Sequence, residues 1–245
     1  MKIDSFQGIV LSETNYSESS KILNVLTDKY GQIGIMSKGC RNMKSKLRGV
    51  SRKLVYGTFH VYYKENGLST LIGIDVINSF SKTIMDLEKV SYASLMLDIT
   101  YQIIKQNDSS EIFGLLRDVL IKLEDGLDPL VLSLILELKL LDFLGVTPNL
   151  DSCSICGNNK GIVSLSSESG GYVCRECHNN EAFTNENTIK IIRMLYYVEI
   201  NSITKLDISS DVVKEISMFL DDYYDRYTGI YVKSKDFIKK INMLK

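Results

Sequence analysis

The stretch Tyr56-Gly57-Thr58-Phe59-His60-Val61-Tyr62-Tyr63-Lys64-Glu65, followed by Asn66-Gly67 and then Leu68-Ser69-Thr70-Leu71-Ile72-Gly73-Ile74-Asp75-Val76, decides the fold. Its first part alternates with a period of two, setting Phe59, Val61 and Tyr63 opposite Thr58, His60 and Tyr62, which is the pattern of a β-strand. Asn-Gly is the favoured pair for a two-residue hairpin turn, because both central residues take positive φ. In the second part Leu68, Thr70, Ile72, Ile74 and Val76 fall on one face. Upstream, Phe6–Glu13, Lys21–Thr27 and Gln32–Lys38 are further apolar-rich runs, the last two separated by the turn Asp28-Lys29-Tyr30-Gly31. Five short strands within residues 1–80 predict a small barrel or sandwich, and closure would remove the unpaired edges.

From about Ile84 the period becomes helical. Met85–Gln106 and Glu111–Leu123 carry apolar residues at three-to-four spacing. A third helix has explicit ends: Asp128 can cap it, Pro129 fits its first position, and Gly145 supplies a left-handed stop. Leu130 to Leu144 is the most apolar run, but it holds Glu137, Lys139 and Asp142 and is too short to span a bilayer, so it predicts a buried helix. Thr188–Tyr197 and Val212–Tyr227 return to helical patterning, before a Lys-rich end over Asp236–Lys245. The expected architecture is α+β: a barrel over 1–80, a helical domain over 81–150, a four-cysteine module over 151–180, and C-terminal helices over 181–245 packing with the helical domain.

Cys153-x2-Cys156 and Cys174-x2-Cys177 define that module. Each CxxC lets one tight turn aim two sulfurs at a point, and two such knuckles close a tetrahedral thiolate site suited to one structural Zn2+. Iron in the same cage, or two labile disulfides, are the alternatives. Four thiolates leave no position open for water or substrate, so the metal would build local structure and carry no hydrolysis. His178 is a possible alternative ligand, and Cys40 reads as an ordinary thiol. Paired cysteines of metal type, with no export signal after Met1-Lys2-Ile3-Asp4, predict a reducing, cytoplasmic setting.

Hydrophobic residues make up 44% of the chain and charged residues 24%, an ordinary globular balance. The net charge of −1 conceals an asymmetry: residues 1–80 carry +5 and the remainder −6. No acid lies between Asp28 and Glu65, and Lys38, Arg41, Lys44, Lys46, Arg48, Arg52 and Lys53 crowd into sixteen positions. With Gly39, Ser45, Gly49 and Ser51 interspersed, this reads as a mobile loop that could include one helical turn. Such a cluster fits a phosphate backbone, whose neutralisation releases condensed counterions. Tyr56, Tyr62 and His60 on neighbouring strands could stack on unpaired bases, although core packing is the commoner use of such aromatics.

Enzyme signatures mostly fail. Gly34-x4-Gly39 starts like a phosphate loop, but Cys40-Arg41 stands where Lys-Ser/Thr is required. Two histidines, His60 and His178, leave little material for a Ser-His-Asp arrangement. Glu137-Leu138-Lys139 has the spacing of a nuclease ExK but sits in an apolar helical pattern, where the charges would mark an exposed edge.

The ordered series Gly8-Ile9-Val10-Leu11, Tyr16-Ser17-Glu18-Ser19-Ser20-Lys21-Ile22-Leu23, Tyr30-Gly31, Ser37-Lys38-Gly39-x-Arg41 and Lys44-Ser45-x-Leu47-Arg48-Gly49 resembles the RecO family of bacterial recombination mediators. The likeness continues through Leu144-Gly145-x2-Pro148-x-Leu150-x2-Cys153, Gly170-Gly171-x2-Cys174 and Lys233-Ser234-Lys235-Asp236-Phe237. It departs after Leu47, where Val50-Ser51-Arg52-Lys53-Leu54 replaces a Leu-Gln-Pro-Phe-like run. The resemblance implies an N-terminal OB barrel, a helical body and a zinc module. It also implies a non-catalytic protein, nucleoid-associated in the cytoplasm and without a membrane partner, that binds single- and double-stranded DNA and anneals complementary strands. With RecR it would help RecA, indirectly, onto DNA coated with single-strand-binding protein, whose acidic C-terminal tail the helical body would recognise. Phe113–Leu123, with Arg117 and Lys122, is chemically suited to such a tail. The competing expectations are a zinc-ribbon protein-interaction or RNA-binding regulatory subunit, and a nuclease.

Overall fold

β1 (Lys2–Asn15), β2 (Lys21–Thr27), β3 (Gly31–Ser37), β4 (Tyr56–Tyr63) and β5 (Ser69–Asn78) close into a barrel in the order β1-β2-β3-β5-β4. Every pairing is antiparallel except the closing one, where Ile35 and Met36 run parallel to Ser69 and Thr70. Of the barrel or sandwich expected from the strand pattern it is the barrel, of the OB type that the family resemblance implies. The computed structural model describes residues 2–105, 110–179, 182–232, 234, 235 and 238. Phe6, Val10, Leu23, Val25, Ile35, Phe59, Val61 and Leu71 fill the barrel, with Phe6 stacked on Phe59 at 6.3 Å. Gly8 pairs with Gly57 where the wall is tightest: a Cβ on Gly57 would stand 2.5 Å from the Asp75 carbonyl oxygen.

Two expectations for the decisive hairpin are corrected. Asn66-Gly67 is not a two-residue turn: only Gly67 has positive φ (120°), and Lys64 to Leu68 form a longer connection closed by the Lys64 N–H on Ser69 Oγ at 3.1 Å. The face of Leu68, Thr70, Ile72, Ile74 and Val76 is also split. His60 pairs with Gly73 and Val61 with Leu71, so Ile72 is an extra, bulged residue. Ser69 and Leu71 therefore turn inward before the bulge and Ile74 after it, while Leu68, Ile72 and Val76 are exposed.

The helices are α1 (Ser81–Met85), α2 (Leu87–Ile104), α3 (Ser110–Glu124), α4 (Pro129–Phe143), α5 (Glu186–Tyr197) and α6 (Ser210–Tyr227). The single helix expected over Met85–Gln106 is interrupted at Asp86, which is extended (ψ 118°) and caps α2 by accepting from the Glu88 and Lys89 amides; Gln106 lies outside the described residues. Glu124 holds α1 in place, its carboxylate accepting from the amides of Lys82 and Thr83 and from Thr83 Oγ1. α4 starts on Asp128 and Pro129 as expected, with Gly145 at φ 69° just beyond its end. It is apolar nearly all round and lies at the centre of the helical body.

Glu137 does not mark an exposed edge. It is 2% exposed, paired with Lys235 Nζ at 2.9 Å, and Lys235 also meets Asp221 at 2.6 Å. Burying the carboxylate demands that partner, and the carboxylates in turn raise the Lys235 ammonium pKa against the opposing effect of burial. Of the expected Lys-rich end, only Ile238 is among the described residues.

One apolar core runs through all the larger helices and continues into the barrel wall at Ile9, Leu11, Leu26, Leu54, Tyr56 and Phe80. At that seam Leu54 (φ 64°) and Phe80 (φ 51°) are buried bulky residues in left-handed backbone, a conformation such side chains adopt only when their surroundings impose it. No helix among the described residues is long and apolar enough to cross a membrane.

Candidate nucleic-acid interface and metal centre

The four cysteines converge. Cys153 and Cys156 sit on one knuckle, whose Gly157 N–H donates to the Cys153 carbonyl at 2.9 Å. Cys174 and Cys177 sit on the other, just past a hairpin of β6 (Ile162–Ser166) and β7 (Gly171–Cys174). All four sulfurs lie within 4.8 Å of one another, and Cys156 Sγ is 3.7 Å from Cys174 Sγ. Sulfurs arranged tetrahedrally at about 2.3 Å from zinc stand roughly 3.8 Å apart, so the cage fits that ion. All four cysteines are free thiols in this arrangement. Burial pushes the Cys153 thiol up, but amides of Cys156, Cys174 and Ile155 outweigh it and bring it down to about 6, whereas hydrogen bonding with Cys156 pushes the Cys177 thiol up to about 12, so one sulfur takes the negative charge while its neighbour stays protonated. His178 stays out of the cage and stacks on Phe183 at 4.4 Å.

The ribbon is fastened to the helices as well. Asp151 accepts from Arg193 and Tyr197 of α5, and Tyr227 of α6 donates to the carbonyls of Ser167 and Glu168. Gly171 forms a parallel bridge with Asn149 so closely that a Cβ would fall 2.3 Å from the Asn149 carbonyl oxygen.

The basic segment between β3 and β4 is a chain of turns with a fixed root. Asn42, Ser45 and Arg48 each donate a backbone hydrogen bond three residues back, and Ser51 donates to the Leu47 carbonyl. Ser37 and Ser51 hydroxyls meet at 2.7 Å and close the loop, Cys40 is buried beneath it, and Arg41 N–H reaches the Ser19 carbonyl in the β1–β2 turn. The loop expected here is thus a hydrogen-bonded succession of turns.

Its seven cations divide into two groups. Lys38, Arg41, Lys44, Lys46 and Arg48 are exposed, and among the described residues none is paired with a carboxylate, although the Arg41 guanidinium donates to the Ser17 carbonyl at 2.6 Å. Arg52 and Lys53 are half-buried and engaged: Arg52 donates to the carbonyls of Gly49 and Ser79, and Lys53 pairs with Asp98 of α2 at 2.8 Å. Of the aromatics, Tyr62 is exposed, whereas Tyr56 is buried against Phe113 and donates to Gln7.

The structure brings together one trio that sequence reasoning did not: Ser5 Oγ and Asp75 Oδ2 each lie 2.8 Å from a ring nitrogen of His60. The aspartate takes Nε2 and the serine Nδ1, the reverse of a hydrolytic triad, and the Asp75 side chain is 82% exposed. The neighbouring amides belong to strand ladders, so this is a polar row across a sheet. Lys139 donates to the Tyr196 carbonyl, and Glu137 is spent on Lys235, which dissolves the ExK arrangement. Phe113–Leu123 is not an open tail-binding face either. Phe113, Leu116, Leu120 and Leu123 are buried in the chain's own core, Arg117 pairs with Asp118, and Lys122 is held by the carbonyls of Asn201 and Ile203. Periodicity identifies the apolar stripe of a helix but not which neighbour covers it.

Two family models match the chain: "Recombination protein O N terminal" over residues 1–80 and "Recombination protein O C terminal" over 85–236. Among its relatives, the chain is 30% identical to the DNA repair protein RecO of Listeria monocytogenes serotype 4a over 251 aligned positions, covering 99% of this chain and 98% of that protein. It is 31% identical to the DNA repair protein RecO of Bacillus pumilus, with 98% and 94% covered.

Proposed function

The chain belongs to the RecO family of recombination and DNA repair proteins, and we propose on that footing that it is a non-catalytic DNA-binding mediator. The observation that carries the reading is the group of five exposed cations, Lys38, Arg41, Lys44, Lys46 and Arg48, without a carboxylate partner among the described residues, on a hydrogen-bonded loop of an OB-type barrel. Flexible cationic side chains on successive turns suit phosphate contact, which positions a strand without reading its bases. The protein thus binds single- and double-stranded DNA with little sequence preference and anneals complementary strands. The four cysteines hold one structural zinc, which stabilises the ribbon and takes no part in binding chemistry.

The body beyond residue 80, at −6, repels bare DNA and engages proteins instead. Family membership supports RecR and the acidic tail of single-strand-binding protein as its partners, with RecA loaded indirectly, in the cytoplasm at the nucleoid. The test is annealing of strands coated with cognate single-strand-binding protein, with and without RecR. Annealing that needs no nuclease-type metal and leaves strand lengths unchanged is the expected result. Absence of any salt-sensitive binding to DNA, or cleavage in its place, overturns the reading.

A further inference from the structure

We propose that Asp98 and Ser234 are positioning residues for the DNA-contacting loop, acting through Lys53, so that the C-terminal segment sets how the loop is presented. The geometry begins at the loop's exit. Ser51 is fully buried and bound to Ser37, and the next three residues are each fastened to a different part of the molecule. Arg52 donates to the Ser79 carbonyl at 3.1 Å, beside the left-handed Phe80 at the barrel–helix seam. The Lys53 amide donates to Glu13 of β1 at 3.1 Å, and its ammonium pairs with Asp98 of α2. Leu54 follows in left-handed backbone, buried in the helical core.

Asp98 is shared. Its Oδ1 takes Lys53 at 2.8 Å and its Oδ2 accepts from the Ser234 hydroxyl at 2.8 Å. One turn further along α2, Gln102 donates to the Tyr231 carbonyl at 2.7 Å, so the C-terminal segment lies along this helix. The next residue, Lys235, is locked to Glu137 and Asp221. A solvent-accessible ion pair alone fastens little. Here, however, the pair joins a segment anchored by a buried charge to a loop whose root is closed by a buried serine pair. One carboxylate therefore links the far end of the chain to the loop, and Arg52 and Lys53 serve as its clasp while the five exposed cations make contact.

This inference rests on the DNA-binding reading for its consequence but has a readout independent of DNA. The full chain and its Asp98→Asn and Ser234→Ala variants are treated briefly with trypsin, and cleavage after Lys38, Arg41, Lys44, Lys46 and Arg48 is followed by mass spectrometry. Both variants should be cut roughly three- to tenfold faster in the loop, with cleavage elsewhere unchanged, because a local opening has been made easier. In a salt titration with single-stranded DNA, Asp98→Asn and Lys53→Met should each weaken binding roughly three- to tenfold without altering the slope of log K against log salt, because no phosphate contact is lost. The double variant should be no weaker than the weaker single, since both break one link.

Unchanged loop cleavage, or cleavage rising equally throughout the chain, overturns the clasp. So does a slope that falls by roughly 0.7–0.9 in Lys53→Met while Asp98→Asn binds more tightly, which would make Lys53 a phosphate contact held in check by Asp98. A parent chain that binds no DNA would sink the DNA reading instead, leaving the cleavage arm to judge the clasp.

Discussion

The basic loop and the cysteine ribbon are both glycine- and serine-bearing excursions from regular structure, yet they are held by opposite means. The ribbon's four sulfurs gather around one point, and its two strands are too short to bury a core of their own. The loop has no such centre. It is fixed at its root by the Ser37–Ser51 bond, by Cys40 and Leu54 buried beneath it, and by hydrogen bonds from one turn to the next. An irregular segment whose job is shape can be tied through its middle. One whose job is contact has to be tied at its ends, leaving the side chains between them free to meet a ligand.

The largest effect should come from untying the ribbon. Cys174→Ser is expected to lose stoichiometric metal and to cost on the order of 4 kcal/mol or more, because ligand bonds replace a core there. Metal analysis beside a denaturant melt checks this, and a variant that keeps both zinc and midpoint would break the comparison. Chelation should produce the same destabilisation.

Neutralising Lys44, Lys46 and Arg48 together should do the reverse, leaving the melt untouched. Binding should weaken by roughly a hundredfold at moderate salt and the slope of log K against log salt should flatten by roughly 2–3. An unchanged slope would move the contact off this loop.

Alanine at one glycine of each region sharpens the contrast further. Gly171→Ala forces a Cβ to within 2.3 Å of the Asn149 carbonyl oxygen at a φ of 143°, and should cost about 2 kcal/mol. Gly49→Ala meets nothing within 4 Å at an ordinary φ, and should stay within about 0.5 kcal/mol of the parent. Thermal midpoints of the two variants, measured side by side, decide it.

The smallest effect concerns the barrel that carries the loop. Asp4 accepts from the Tyr30 hydroxyl, from Lys29 at 2.9 Å and from the Ser5 amide, and these hold its carboxyl well below the usual range. A carboxyl depressed in the folded state adds stability that is present above its unfolded value, about 3.9, and is lost as pH falls below it. Asp4→Asn should therefore lower the midpoint slightly at neutral pH and flatten its decline below about pH 4. Parallel acid limbs in parent and variant would show that these bonds contribute nothing.

Much of this was legible in the chain. The cysteine spacing announces a cage because four sulfurs at fixed separations leave few alternatives, and the strand runs announce a barrel because alternation is a local property. What stayed hidden depends on neighbours remote in sequence. The bulge at Ile72 arises from the register between β4 and β5, and it turns Ile74 inward against the simple alternation. Glu137 is an edge charge or a buried anchor according to whether a lysine ninety-eight residues later reaches it. Arg52 and Lys53 cannot be told from Lys44 and Lys46 by composition. Only the positions of Ser79 and Asp98 separate the engaged pair from the exposed cations.

The seam at Phe80 bears on how the molecule can be cut. The two family models meet between residues 80 and 85, an inviting place to express the halves separately. Yet Ile9, Leu11, Leu26, Leu54 and Tyr56 lie in the same apolar cluster as Phe113 and Ile99. An excised barrel would present that patch to water and would be prone to self-association, so its failure to bind DNA would say little about the loop. In calorimetry the intact chain should give a single endotherm spanning both halves, since each covers an apolar face of the other at the seam. Units of inheritance and units of cooperativity need not share a boundary.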